Sequence, residues 1–76
     1  MWQRGIFGLL IWERMPADAR RRTVEDILGA IAETPIGGTE LALARNVLSK
    51  KSAETRQEIA GLMREQSEPQ AARLGL

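Results

Sequence analysis

All three aromatic residues of the chain, Trp2, Phe7 and Trp12, fall within its first twelve positions, around the run Ile6-Phe7-Gly8-Leu9-Leu10-Ile11-Trp12. No later stretch is as dense in apolar residues. Where that surface goes constrains the rest: it is the chain's own core, half of an oligomer interface, a docking face for a larger partner, or an anchor on a membrane. The question is sharp because 76 residues bury a smaller fraction of their surface than a longer chain does, so the core alone is marginal. The chain has neither cysteine nor histidine, which excludes disulfide bracing and a structural zinc site of the usual kind. Oligomerisation or partner binding is the remaining remedy.

The residue pattern predicts an all-α fold, a single helical domain over residues 1–66 made of three to four helices, which oligomerisation would complete. Within 1–15, at about 3.6 residues per turn, Trp2, Ile6, Leu9, Leu10, Ile11 and Trp12 spread around most of a helix circumference. Gly5 and Gly8 weaken a helix, and Ile, Phe and Trp suit a strand. With no second strand-like run to pair with, however, helix is the expectation. Pro16 and Asp18 suit the first turn of a second helix, 16–33, in which Ala17, Val24, Ile27, Leu28 and Ile31 form an apolar stripe. Thr34 before Pro35 stops it, and Ile36-Gly37-Gly38 makes the connection.

Thr39 reads as the N-cap of a third helix, 39–50, carrying Leu41, Ala44, Val47 and Leu48 on one face with Leu43 at its edge. No large apolar residue occurs from Ser49 to Glu58, so the helix is expected to break there. Ser52 then caps a fourth, 52–66, bearing Ile59, Leu62 and Met63. The segment 67–76 reads as a flexible tail whose Leu74 and Leu76 either pack back or wait for a partner.

Net charge is +1, which is neither a polycation for nucleic acid nor an acidic tail over the whole chain. Its distribution is banded. Residues 1–22 are rich in arginine, 23–40 hold Glu25, Asp26, Glu33 and Glu40 without a base, and 41–57 turn basic again through Arg45, Lys50, Lys51 and Arg56. Such bands read as complementary faces of neighbouring helices or subunits. Arginine far outnumbers lysine, a bias associated with GC-rich coding and with a bacterial or phage source.

Catalysis is poorly provisioned. Without His, Cys or Tyr, a serine or threonine nucleophile has no imidazole to activate it, and Glu25, Asp26 and Glu33 lie on an outward helix face. No enzyme, metal or cofactor is expected. Ile36-Gly37-Gly38-Thr39 lacks the Gly-Lys-Ser/Thr ending of a P-loop and follows a helix, so it reads as a turn rather than a phosphate cradle.

The stretch Leu43-Ala44-Arg45-Asn46-Val47-Leu48-Ser49-Lys50-Lys51-Ser52-Ala53-Glu54-Thr55-Arg56 resembles the Leu-Ala then Val-Ser-x-x-Thr run of helix-turn-helix regulators. That resemblance implies DNA binding with Arg45, Lys50, Lys51 and Arg56 on phosphates. The glycine of the inter-helix turn is absent, one residue must be deleted to match the run, and Glu54 and Glu58 fall in the first turns of the recognition helix. DNA binding therefore stands as the alternative reading.

Arg4, the apolar run and Ala17-Asp18-Ala19 imitate a secretory signal, but Glu13, Arg14 and Pro16 interrupt the path to that cleavage site, and a cytoplasmic location is expected. The run is too short to span a bilayer. Trp2 and Trp12 with Arg4 and Arg14 suit a helix lying at a membrane interface, a third reading weakened by the missing polar face.

The leading expectation is a non-enzymatic protein-binding module, a regulator, assembly factor or phage-type inhibitor, whose partner is itself or a larger protein. Its anchor is Trp2, Ile6, Phe7, Leu9, Leu10 and Trp12, because buried aromatic side chains dominate interface affinity and no other group in the chain is as large. The competing expectation is that the same residues close the core against Val24, Ile27, Leu28 and Ile31.

Overall fold

The structure, a computed structural model, describes residues 2–33 and 38–76, with Trp2 and Gln3 described by their backbone alone. Its order is α1 (Trp2–Leu10), a single 3₁₀ turn (Trp12–Arg14), α2 (Ala17–Glu33), α3 (Thr39–Ser49), α4 (Ala53–Gln66) and α5 (Glu68–Arg73). All regular structure among the described residues is helical, in five α-helices rather than three to four. The connection expected over Ile36 and Gly37 lies outside the described residues.

Two glycines explain how an apolar segment that spreads around a helix finds burial. A Cβ on Gly8 would lie 2.5 Å from Thr23 Oγ1, and one on Gly5 would lie 2.6 Å from Ile27 Cγ1. Bare backbone there brings α1 onto α2 and seats Leu9 and Trp12 in the interior, both fully buried. Thr23, itself buried, satisfies its hydroxyl by donating to the Ala19 carbonyl at 2.9 Å. Glycine therefore costs some helix propensity in α1 and returns it as close packing.

Helix α2 is the element the others gather on. It packs against α1, α4 and α5, while α3 packs against α1. Val24, Ile27, Leu28 and Ile31 are buried as a stripe at helical spacing, whereas Ala17 at its start is exposed. They form one cluster with Leu9, Trp12, Leu41, Ala44, Val47, Leu48, Ile59 and Met63. Burying each large aliphatic side chain of that set contributes about 1.5–3 kcal/mol.

The chain turns between α3 and α4 where Ser52, in an extended conformation, accepts the Thr55 N–H on its side chain at 3.2 Å. The start of α3 differs from expectation by one residue. Gly38 occupies the N-cap without a side-chain bond, and Thr39 is the first helical residue.

The segment 67–76 is not a free tail: α5 follows α4 directly, Ser67 being the C-cap of one and the N-cap of the other. Ala71 and Leu74 are buried in the core cluster. Arg45 Nε donates to the Arg73 carbonyl at 2.8 Å, and Arg73 Nη1 donates to the Ile31 carbonyl at 3.3 Å. Proline at position 69 suits the first turn of a helix, so the chain continues in order past Ser67, and Leu74 and Leu76 pack back on the core.

Candidate functional site

The six residues expected to form an anchor are divided by the structure. Leu9 and Trp12 are core residues, a correction that follows from the glycine contacts of α1. Ile6 is half-buried and packs on the core cluster. Phe7 and Leu10 remain 61% and 56% exposed. The side chain of Trp2 lies outside the described residues.

Trp12 is held on three sides. Its indole Nε1 donates to Glu58 Oε1 at 2.8 Å, and Arg20 Nη1 donates to the other oxygen of that carboxylate at 2.7 Å. Arg20 Nε also donates to the Trp12 carbonyl at 3.0 Å, with the guanidinium 5.5 Å from the centre of the ring. The indole bond foremost holds the Glu58 carboxyl below its usual range; burial opposes it, and Arg20 adds to the lowering. Trp12 is thus committed to the fold and has no polar atom to offer a partner.

What remains for a partner is the outer edge of α1. Phe7 and Leu10, one turn apart, form an apolar ridge with a recess on either side. On the α2 side a recess of about 280 Å³ is lined by Phe7, Ile11 and Met15, with Arg4, Arg22 and Asp26 among its polar groups. On the α3 side a recess of about 190 Å³ has Leu10 and Val47 as its apolar wall and Asn46, Lys50 and Lys51 around them. Leu43, 48% exposed, lies one turn before Val47 on α3. Phe7, Leu10 and Leu43 are the exposed large apolar residues among the described residues.

Lys51 bridges the two helices on that side. Its ammonium donates to both carboxylate oxygens of Glu13, at 3.0 and 3.3 Å, and to the Leu10 carbonyl at 3.4 Å. The Lys51 hydrogen bond, more than any other influence, lowers the Glu13 carboxyl below its usual range.

The basic residues singled out for nucleic acid do not share one face. Arg45 turns toward α5 and binds the Arg73 carbonyl, and Arg56 Nη1 donates to the Ser49 carbonyl at 3.2 Å while lining a groove along α4. Only Lys50 and Lys51 meet, in the recess beside Leu10. Moreover, α3 packs chiefly on α1 while α4 packs on α2 and α5, so the two helices of the resembling run dock on different neighbours. Among the described residues, no group of three acidic side chains is placed to hold a metal ion, and no helix is long and apolar enough to cross a membrane.

Of the residues singled out in the sequence, Phe7 and Leu10 are the exposed ones; Leu43, Lys50 and Lys51 were not grouped with them. Leu43 carried a signal, its position at the edge of the α3 stripe, one turn from Val47. The role of Lys50 and Lys51 beside an apolar wall carried none, since it depends on α3 lying against α1. Comparison with protein-family models, with curated proteins and with solved structures finds no match to this chain.

Proposed function

We propose that this protein is a small non-enzymatic protein-binding module that docks on another protein through the outer edge of α1 and the groove between α1 and α3. The observation carrying this reading is the exposure of Phe7 and Leu10 on a helix whose Leu9 is fully buried and whose Ile6 packs half-buried on the core. A ridge of this kind beside two recesses has the anatomy of an interface centre, where aromatic and aliphatic side chains interlock with pockets on the other protein. Covering each half-exposed side chain would contribute about 1 kcal/mol from transfer alone. Because Leu9 and Trp12 belong to the core, the anchor is smaller than the sequence suggested, and the expected interface is correspondingly modest.

A photo-crosslinking amino acid in place of Phe7, introduced in the cells that make the protein, tests this. Crosslinks to a protein are expected from position 7 and not from the exposed position 65 on α4. Absence of a protein adduct at position 7, or equal yields at both positions, would remove the reading.

A further inference from the structure

We infer that the occupant of the α1–α3 groove is an acidic amphipathic helix of another protein, whose apolar side chains fill the recess beside Leu10 while its carboxylates meet the surrounding cations. The inference rests on the protein-binding reading above and adds the chemistry of the partner.

The charge around the ridge is unbalanced. Its two recesses present four cations, Arg4, Arg22, Lys50 and Lys51, against Asp26 and the Glu13 carboxylate that Lys51 already holds. The whole chain carries only +1, so the excess is a property of this face. Complementary potentials guide association and exclude wrong partners, and like charges placed face to face oppose it. A second copy related by two-fold symmetry would present the same patch and set these cations against one another. The charge therefore points to an acidic partner and away from self-association through this surface.

Shape then separates the remaining anionic partners. Duplex nucleic acid offers phosphates, but its base faces are stacked on one another and do not cover Phe7 and Leu10, and a single strand would leave the recess beside Leu10 unfilled. A lipid surface would cover both residues, yet it has no use for a recess sunk between two helices. The recess on the α3 side, at about 190 Å³, is below the roughly 300 Å³ at which small-molecule sites begin. It suits a side chain inserted from a partner. Its walls are two helices, and a groove of that kind takes a third helix through apolar residues at three- and four-residue spacing.

The test is selection from a displayed library of helical peptides with leucine or phenylalanine fixed at that spacing and all flanking positions random. Selection on the whole protein at low salt is expected to enrich Asp and Glu over Lys and Arg in the flanks. The double substitution Arg4→Glu with Lys50→Glu, both at exposed positions, should weaken the selected peptides at least tenfold while leaving the urea midpoint unchanged. On that variant the library should enrich basic flanks instead. The control Leu10→Asp should abolish binding.

Peptides that Leu10→Asp abolishes but charge reversal leaves unchanged would overturn the acidic partner and leave the docking face standing. Peptides indifferent to both changes would overturn the two together. A library without binders, co-sedimentation with phosphatidylserine vesicles that charge reversal abolishes, or dimerisation abolished by Leu10→Asp would each overturn the inference. Crosslinking at position 7 decides separately whether the face binds a protein.

Discussion

The indole of Trp12 and the carboxylate of Glu58 meet at 2.8 Å although 46 residues separate them in the chain. The bond lets a tryptophan from the most apolar segment be fully buried without leaving its N–H unpaired. Glu58→Ala removes the acceptor and is expected to cost about 1–2 kcal/mol, the lower part of the range for an orphaned donor, because the Glu58 side chain is 42% exposed and water reaches it. Glu58→Gln keeps an acceptor and loses only the exposed ion pair with Arg20, at about 0.5 kcal/mol. Urea unfolding of the two variants decides the point: equal losses would mean that the ion pair, rather than the indole bond, carries the effect.

Acid should weaken the protein through the same carboxylate. Glu58 and Glu13 both have folded-state values below the ordinary 4.5, so the native state holds fewer protons than the unfolded chain as each group titrates. Their contribution is fully present above that ordinary value and is lost as pH falls through the lowered ones. The urea midpoint should therefore be level from neutral pH down to the ordinary carboxylate range and fall as the pH is taken below it. In Glu58→Ala the drop should be shallower. An identical drop would place the acid sensitivity elsewhere.

Glycine replacements should separate by position. Gly8→Ala drives a methyl against the β-branched Thr23, whose nearest atoms lie 2.5 and 2.6 Å from the new Cβ, and overpacking of this kind costs about 1–3 kcal/mol. Gly29→Ala meets nothing within 4 Å and should stabilise α2 by about 0.5–1 kcal/mol through helix propensity and a less flexible unfolded chain. Thermal unfolding should move in opposite directions for the two. Movement in the same direction would mean that the close approach of α1 to α2 is not as described.

Residues five apart in one apolar run should behave as opposites. Trp12→Ala empties the largest fully buried side chain at a cost of about 3–5 kcal/mol, a large part of the roughly 4–11 kcal/mol available to a chain of this size. Phe7→Ser, on the exposed ridge, should change stability by no more than about 0.5 kcal/mol. Circular dichroism through a urea titration measures both. A large loss at Phe7 would make it a core residue and remove it from the proposed face.

The helical content and the α2 stripe were legible because periodicity is a local property: Val24, Ile27, Leu28 and Ile31 announce a buried face without reference to any other element. The Ser52 cap was legible for the same reason, since serine three residues before its bonded N–H is a short-range signal. The division of the N-terminal run was not. Leu9 and Leu10 are neighbours of one residue type, and only the contacts of Gly5 and Gly8 with α2 decide that the first is buried and the second exposed. Helix α5 was hidden by its composition. Six residues from Glu68 to Arg73 supply little helix signal, and their order comes from Ala71 and Leu74 reaching a core assembled by distant segments. The cationic recess was illegible for a like reason, because Leu10 and Lys50 share it only after α1 and α3 have docked.

The bonds joining Trp12 to Glu58 and Arg73 to Ile31 span 46 and 42 residues, and both depend on segments synthesised late. A nascent chain that has reached only the end of α3 has no acceptor for the Trp12 indole, nor α4 and α5 to cover its side of α2. Loop closure of this length must precede the reward of the contacts it brings. The N-terminal apolar run can therefore dock on α2 and α3 first, but Trp12 gains its indole acceptor, and α2 its remaining cover, only when α4 and α5 arrive.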